Sequence, residues 1–303
     1  MIQVLVLGAA AGGGFPQWNS NSDACRRVRA GDPQARPSTQ ASVAVSVDAE
    51  HWHIVNASPD LRAQINCHAQ LHPRDGLRST PISTVVLTNA DVDAIAGLLN
   101  LRERTRFRLY GHPRVLHVLD QNPIFGVLAP GVVDRASLEL NKIVTLQDGL
   151  IMEPFPVPGK IALFMEEEKP ESFGTEEGDT IGLEFRDHAG TRVLFVGNCA
   201  AVTPELRRRM DGAAVVFFDG TLWRDDEMLA SGEGAKTGHR MGHISISGAD
   251  GVVATLANVD IGRRIFIHIN NTNPVLLGDS AERAMVEAQG WEVAYDGMEV
   301  CTK

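Results

Sequence analysis

The stretch Thr84-Val-Val-Leu-Thr-Asn-Ala-Asp-Val-Asp93-Ala-Ile-Ala-Gly-Leu-Leu99 decides the fold class. Its first four residues form the continuous apolar run of a strand that is covered on both faces. Thr88-Asn89 is a helix-capping pair, and the apolar spacing after it predicts a helix from Asp91 to about Arg104. The stretch therefore predicts a strand–helix unit with polar residues at the carboxyl end of the strand.

The polar residues Asn89, Asp91 and Asp93 surround the start of this helix. Carboxylates at a helix N-terminus either cap the helix or bind a metal ion, and the stretch alone leaves both roles open.

Two further buried strands end in polar residues. Residues 215–218 lead into Asp219-Gly-Thr221, and residues 265–269 contain His268 and lead into Asn270. Ligands bind at the carboxyl ends of strands in open sheets, so Asp93, Asp219 and His268 are expected to converge on one cation. Imidazole combined with carboxylates suits iron, manganese or zinc.

The rest of the chain alternates hairpins with strand–helix units in both halves. The predicted hairpins pair residues 41–47 with 51–55, 180–186 with 192–196, and 291–295 with 298–301. Two mixed sheets packed face to face, with helices outside, would bury such a pattern. We therefore predict an α/β chain with four layers, and one domain over residues 1–303.

Composition excludes several classes of protein. The 303 residues carry 28 Lys and Arg against 38 Asp and Glu, a formal charge of −10, which argues against a nucleic-acid or membrane-surface binder. No apolar run is long enough for a transmembrane helix, and the start of the chain is typical of a strand rather than a secretion signal. Four scattered cysteines make a disulfide framework improbable, so we expect a reduced cytoplasmic protein. Cys67 and Cys301 are expected to be buried thiols.

Three other segments are predicted to be loops, and two of them are expected to lie at the functional site. Gly8 to Gly14 is only weakly similar to a dinucleotide-binding loop and is expected to be a tight loop approaching the site. Lys236 to Ser245 places two histidines among glycines, which is typical of a functional loop. Glu166 to Asp179 is expected to be a solvated acidic loop.

The sequence resembles the PqqB family of pyrroloquinoline quinone biosynthesis over essentially its whole length. The segments that carry the resemblance are Ala10-Ala-Gly-Gly-Gly-Phe-Pro-Gln-Trp-Asn19, Asn56-Ala-Ser-Pro-Asp-Leu-Arg62, Asp219-Gly-Thr-Leu-Trp223, Thr237-Gly-His-Arg-Met-Gly-His243 and His268-Ile-Asn-Asn-Thr-Asn-Pro274. The resemblance implies a metallo-β-lactamase-like αββα sandwich.

The resemblance also implies a reaction: iron-dependent oxygenation of a cross-linked Glu–Tyr precursor of the quinone. It implies Asp93, Asp219, His243 and His268 as catalytic residues. Asp93 and His268 are the expected ligands of Fe(II) or another divalent ion, and Asp219, Asp91 or His243 is the third, with Asp91 as a substitute for the histidine missing at position 94. The alternative is a carrier that binds the quinone or its precursor without chemistry. A metallo-hydrolase is the least favoured reading, because few histidines remain to activate a water molecule.

The chain departs from the family pattern at two places. Ala94 stands where the family implies a histidine ligand, which favours the carrier alternative. Ser20, Ser22 and Cys25 stand where the family has three cysteines, so we expect no structural zinc there.

A carboxylate-rich precursor calls for cationic and polar partners. The matched segments and their neighbourhood supply a candidate substrate-binding set: Arg36, Arg62, Lys236, Arg240, Asn270, Asn271 and Thr272. The expected partner is this small molecule, and a homodimer is left open.

Overall fold

Fourteen strands form the framework in a computed structural model that describes residues 1–165 and 177–302. The strands are β1 (Gln3–Gly8), β2 (Ser42–Ser46), β3 (Trp52–Val55), β4 (Ile82–Val86), β5 (Phe107–Gly111), β6 (Val133–Ser137), β7 (Val144–Thr145), β8 (Ile151–Pro156), β9 (Ile181–Arg186), β10 (Arg192–Val196), β11 (Ala213–Asp219), β12 (Ile261–Ile267), β13 (Trp291–Val293) and β14 (Glu299–Cys301). Most of the predicted acidic loop, residues 166–176, lies outside the described residues.

Short helices connect these strands. The α-helices are α1 (Asp23–Arg29), α2 (Leu61–Cys67), α3 (Val92–Ile95), α4 (Pro113–Gln121), α5 (Pro204–Met210), α6 (Glu227–Ser231), α7 (Gly238–Met241), α8 (Val252–Thr255) and α9 (Ala281–Ala288). Single 3₁₀ segments occupy Ala69–Leu71, Ala96–Leu101, Pro123–Val127, Leu163–Met165 and Pro274–Leu276. No helix in the described part of the chain is long and apolar enough to cross a bilayer.

The strands form two seven-stranded mixed sheets. The first has the order β14-β1-β2-β3-β4-β5-β6 and the second β13-β12-β11-β10-β9-β8-β7. Strands β3 to β6 are parallel to one another, as are β10 to β13, and the remaining pairs are antiparallel. In the parallel half of each sheet, the carboxyl ends of the strands lie on the same side of the sandwich. The candidate site lies at these strand ends.

Side chains alternate between two kinds of core. Along β1, Val4 and Val6 belong to the core between the sheets, whereas Leu5 packs on the opposite face with Leu61 of α2. On the second sheet, Phe218 packs outward with residues of α5, α8 and α9. This sandwich of helix, sheet, sheet and helix confirms the predicted αββα fold.

The hairpin predicted at the end of the chain is wrong. β13 pairs parallel with β12 in the second sheet, while β14 pairs antiparallel with β1 in the first. The intervening turn is held by Asp296, whose carboxylate accepts hydrogen bonds from the Ser38 hydroxyl and the Thr39 N–H. The Asp-Gly turn therefore carries the chain from one sheet to the other. The other two hairpins are confirmed, with β2 paired to β3 and β9 to β10.

Two exposed thiols also correct the sequence analysis. Cys67 ends α2, and Cys301 lies in β14 at the edge of the first sheet; both are exposed.

The helix predicted over residues 91–104 is shorter than expected. It comprises α3 and then a 3₁₀ segment, because Gly97 is pressed against the backbone of the loop at Ala57 and Ser58. The Gly97 N–H donates to the Ala57 carbonyl at 2.8 Å, and the Ala57 N–H donates to the Ala94 carbonyl at 2.7 Å. These contacts fix α3, which carries Asp93, against the first sheet.

Gly97→Ala is expected to destabilise the fold by about 1–3 kcal/mol or more, which is the usual cost of overpacking. An added Cβ would lie 1.9 Å from the Ser58 carbonyl oxygen, a backbone atom that cannot move alone. Chemical denaturation measures the change. Gly126→Ala is the matched control, because a Cβ there meets nothing within 4 Å. Equal stability of the two variants would contradict this packing.

A buried histidine–carboxylate pair joins the two sheets at a point remote from the strand ends. His53 of β3 places Nε2 2.9 Å from Asp148 Oδ1, and both side chains are fully buried. Asp148 also accepts hydrogen bonds from the N–H groups of Val47 and Leu150. Burial alone would raise the pKa of Asp148, but its hydrogen bond with His53 and these donors hold the pKa below its ordinary value.

This pair makes stability depend on pH. Because the pKa of Asp148 is lowered on folding, its contribution is complete above the unfolded value of about 3.9 and disappears as pH falls through the folded pKa. Asp148→Asn should therefore cost about 1–3 kcal/mol near neutral pH and progressively less in acid. Denaturation at a series of pH values tests this, with the exposed Asp75→Asn as control. If the difference in unfolding free energy between Asp148→Asn and the unmodified chain stayed constant at acidic pH, the charged Asp148 would not have this stabilising role.

Candidate metal centre

The ends of neighbouring strands bring three potential ligands together. Asp219 is the last residue of β11, His268 follows β12 directly, and His243 lies just beyond α7. Each offers a ligand atom within 4.8 Å of the other two, and all three residues are buried. We call Asp219, His243 and His268 the buried cluster. Parallel strands β11 and β12 end at the same edge of the sheet, which explains the convergence.

Asp219 is held by four hydrogen bonds. Its Oδ2 accepts the Cys199 N–H at 2.8 Å and lies 2.7 Å from His243 Nδ1. Its Oδ1 accepts the Thr221 N–H at 2.9 Å and the Thr221 hydroxyl at 2.6 Å. Since a carboxylate has about four lone-pair positions, these contacts fix Asp219 in one orientation and orient His243 in turn, and an ion bound by Asp219 would replace one of them.

His268 links the buried cluster to Asp93 on the other sheet's helix α3. His268 Nε2 lies 2.8 Å from Asp93 Oδ2, while His268 Nδ1 lies 2.8 Å from the Thr221 hydroxyl. The ring also stacks on His243, with ring centres 5.3 Å apart. His268 has a φ of 58°, in the left-handed region that is uncommon outside glycine, and such backbone strain is concentrated at functional sites.

The pKa values of the Asp93–His268 pair move apart. Burial opposes both charges, but the hydrogen bond and the charge of His268 lower the pKa of Asp93. Burial likewise lowers the pKa of His268, but Asp93 and the more distant Asp219 and Asp91 outweigh it and raise that pKa. An ion bound by both residues would take the place of the hydrogen bond between His268 Nε2 and Asp93 Oδ2.

Beside Asp93, residues from both halves of the chain meet at Asp91. The Asp91 N–H donates to Asn89 Oδ1, and the Asn89 amide donates to Asn198 Oδ1 at 2.9 Å. Lys160 places Nζ 3.8 Å from Asp91 Oδ1. Neither Asn198 nor Lys160 was predicted from the sequence. Asn198 follows β10 and carries the same strand-end signal as Asp219, whereas nothing in the local sequence marks Lys160.

The aliphatic stem of Lys160 also contacts the loop that carries His243. A Cβ added at Gly242 would lie 2.9 Å from Lys160 Cγ, so the stem packs directly against this glycine. Lys160 therefore contacts Asp91, which lies two residues before Asp93, and Gly242, which directly precedes His243.

Ala94 is buried in an apolar setting. Its side chain packs in the core between the first sheet and its helices, together with Ile95 and Leu98. A methyl group offers no lone pair, so position 94 supplies no ligand. Gly12, by contrast, comes close to the site, since a Cβ there would lie 3.7 Å from Asp93 Oδ2.

The polar residues after His268 bind acidic side chains from the neighbouring segment. Asn270 donates to the Thr272 hydroxyl, which donates to Glu227 of α6, and Asn271 donates to Glu233 at 2.9 Å. Burial raises the pKa of Glu227 despite these bonds. These three residues therefore hold the loop after β12 against α6.

The four cations proposed for substrate binding lie in different places. The Arg36 guanidinium lies over the Tyr295 ring, 5.0 Å from its centre, and Arg62 is exposed on α2. Lys236 and Arg240 lie in the segment that leads to His243, and Arg240 is exposed.

Near the N-terminus, Ser20, Ser22 and Cys25 form a helix cap. The Ser22 hydroxyl accepts the Cys25 N–H at 3.3 Å and lies 3.1 Å from the Ser20 hydroxyl, at the start of α1. The Cys25 side chain is buried. That this segment holds no structural zinc stays a prediction.

The donor set fits one divalent ion. Two imidazoles and a carboxylate in the buried cluster, with Asp93 beside His268, are the donors that iron, manganese and zinc accept. Such an ion would be held by the buried cluster together with Asp93.

Comparisons with known proteins agree with this architecture. A family model described as a beta-lactamase superfamily domain matches residues 51–269. Coenzyme PQQ synthesis protein B of Gluconacetobacter diazotrophicus is 54% identical over 309 residues, which cover 100% of both chains. A protein of the same name from Methylorubrum extorquens is 50% identical, over 98% of this chain and 99% of its own.

Solved structures give the same result. The crystal structure of Zn(2+)-bound PqqB from Methylobacterium extorquens superposes with a TM-score of 0.95 at 48% identity, over 99% of each chain. The zinc in that protein is in tension with the prediction that this chain holds no structural zinc. A diphosphatase of the PhnP family matches with a TM-score of 0.69 at 19% identity, over 99% of this chain and 96% of its own, and shares the fold. The chain therefore belongs to the PqqB family of the beta-lactamase superfamily.

Proposed function

We propose that this chain acts in coenzyme PQQ synthesis as a metal-dependent hydroxylase or oxygenase of a cross-linked Glu–Tyr precursor. The observation that carries the proposal is the buried cluster of two histidines and one carboxylate, with Asp93 hydrogen-bonded to His268. Membership of a family named for this synthesis supplies the pathway. Bound Fe(II) would supply the activation of O₂ beside the substrate.

The protein's own residues would perform the remaining tasks. His268, Asp93 and Asp219 would hold the ion, and the Asp219 carboxylate keeps His243 oriented. Burial of the cluster excludes bulk water, which strengthens the electrostatic interactions inside the site. We propose Lys160, with Lys236 and Arg240, as the cations that receive the precursor's carboxylates.

A carrier without chemistry is the second candidate, and one observation favours it. Ala94 places a methyl group in an apolar core where the family resemblance implies a ligand. A site that binds its ion weakly would hold the precursor but would not oxidise it.

Oxygen uptake separates the two candidates. The unmodified chain, loaded anaerobically with Fe(II) and given the cross-linked precursor, O₂ and a two-electron reductant such as ascorbate, is expected to consume O₂ and to add one oxygen atom to the precursor while the other is reduced to water, as mass spectrometry would show. Lys160→Met is expected to raise KM about tenfold through the loss of one charged contact, with kcat nearly unchanged. Lys142→Met is the control, because Lys142 is exposed and pairs with Glu139. Precursor binding without O₂ uptake would establish the carrier instead.

A further inference from the structure

The side chain of Thr221 lies at the centre of the buried cluster and contacts all three of its members. Its hydroxyl oxygen is 2.6 Å from Asp219 Oδ1, 2.8 Å from His268 Nδ1 and 3.1 Å from His243 Nδ1. It is also 2.9 Å from the His268 carbonyl oxygen. We infer that Thr221 is a positioning residue, whose hydroxyl fixes the His268 ring so that Nε2 faces Asp93 and would meet an ion bound there. This inference rests on the metal site of the proposed function.

Counting protons decides which nitrogen of His268 carries hydrogen. The Thr221 hydroxyl has one hydrogen, and both the Asp219 carboxylate at 2.6 Å and the His268 carbonyl at 2.9 Å can only accept it, so none is left to donate to a ring nitrogen. The hydroxyl oxygen must therefore accept from His268 Nδ1 at 2.8 Å. If His268 had no hydrogen on Nδ1, the lone pair of that nitrogen would face a lone pair of the Thr221 hydroxyl oxygen.

The consequence appears on the other side of the ring. With hydrogen on Nδ1, a neutral His268 offers the lone pair of Nε2, which is the atom 2.8 Å from Asp93 Oδ2. Ligating histidines commonly donate their second N–H to an oxygen, and this contact fixes both tautomer and ring orientation. Thr221 therefore turns the Nε2 lone pair of His268 toward Asp93.

The backbone of Thr221 reinforces the arrangement. Its N–H donates to Asp219 Oδ1, and its carbonyl accepts the Asn270 N–H at 3.0 Å. The residue thus ties the ends of β11 and β12 together, and Asp219 and Asn270 flank it on either side. The hydroxyl is the part that acts on His268, so valine, which has nearly the same shape, should keep the backbone contacts and lose the effect.

The test compares Thr221→Val and Thr221→Ser with the unmodified chain. Thr302→Val is the matched control, because the buried Thr302 hydroxyl accepts the Ile2 N–H at the other end of β1. Zinc affinity is measured by competition with a chelator. Thr221→Val is expected to bind zinc about 10- to 100-fold more weakly, as other losses of a residue supporting a ligand do. Thr221→Ser should restore binding, and Thr302→Val should lower only stability.

A second readout needs no metal. In the zinc-free protein, nitrogen-15 NMR should show a slowly exchanging Nδ1–H on His268, assigned by its absence in His268→Asn, and Thr221→Val should make it exchange rapidly. Unchanged zinc affinity and unchanged exchange in Thr221→Val would overturn the inference. If the unmodified chain binds no zinc, the proposed function fails, and the exchange measurement alone decides the role of Thr221.

Discussion

Asp219→Ala is expected to lower the free energy of unfolding by about 3–5 kcal/mol, even without metal. The carboxylate is completely buried and accepts hydrogen bonds from the Cys199 N–H, from the Thr221 N–H and hydroxyl, and from His243. Its removal leaves several buried donors without an acceptor, at about 1–3 kcal/mol for each. Asp219→Ala would therefore remove the central carboxylate of the site and much of the stability of the fold.

Denaturation in the presence of a chelator measures this loss without any contribution from bound metal. Asp279→Ala is the matched control, since Asp279 forms a half-exposed ion pair with Arg27 that is expected to contribute less than about 1 kcal/mol. A change at Asp219 no larger than this control would mean that the carboxylate does not organise the strand ends.

His268→Asn is expected to weaken metal binding more than about 100-fold, because the loss of a ligand exceeds the effect of losing a residue that supports one. Asparagine is the substitution of choice, since it tolerates the left-handed backbone at φ 58° better than alanine does. The variant also leaves Asp93 without its partner across the two sheets. Competition with a chelator for zinc and for Fe(II) gives both affinities.

The control for this experiment is His117→Asn, a change on the exposed face of α4 that should leave metal binding intact. Should His268→Asn and the control bind zinc equally well, His268 would not be a ligand, and the site would have to be sought elsewhere.

The αββα fold and the site residues Asp93, Asp219 and His268 could be predicted from the sequence, because the fold and these residues depend on local sequence signals. An apolar run that ends in a polar residue is visible along the chain, and parallel strands share the edge at which they end. The structure brings these three residues together, and His243 joins them.

What the sequence missed depends on distant contacts. The Asp-Gly turn at Asp296 has the same local signal whether it joins one sheet or two, and only its bonds to Ser38 and Thr39 decide. Gly97 shortens the predicted helix because of a loop some forty residues earlier in the chain. Lys160 meets Asp91 only through the fold. The hydroxyl of Thr221 acquires its importance from His243 and His268, which lie 22 and 47 residues further along the chain.

The most direct test of the account is the metal content per chain, by elemental analysis, after anaerobic loading with Fe(II) and separately with Zn(II). Ala94→His is analysed beside the unmodified chain. The account predicts about one tightly held ion in the unmodified chain, because the buried cluster and Asp93 supply enough ligands without position 94. No ion in the unmodified chain, with one gained by Ala94→His, would contradict it and leave the carrier as the function.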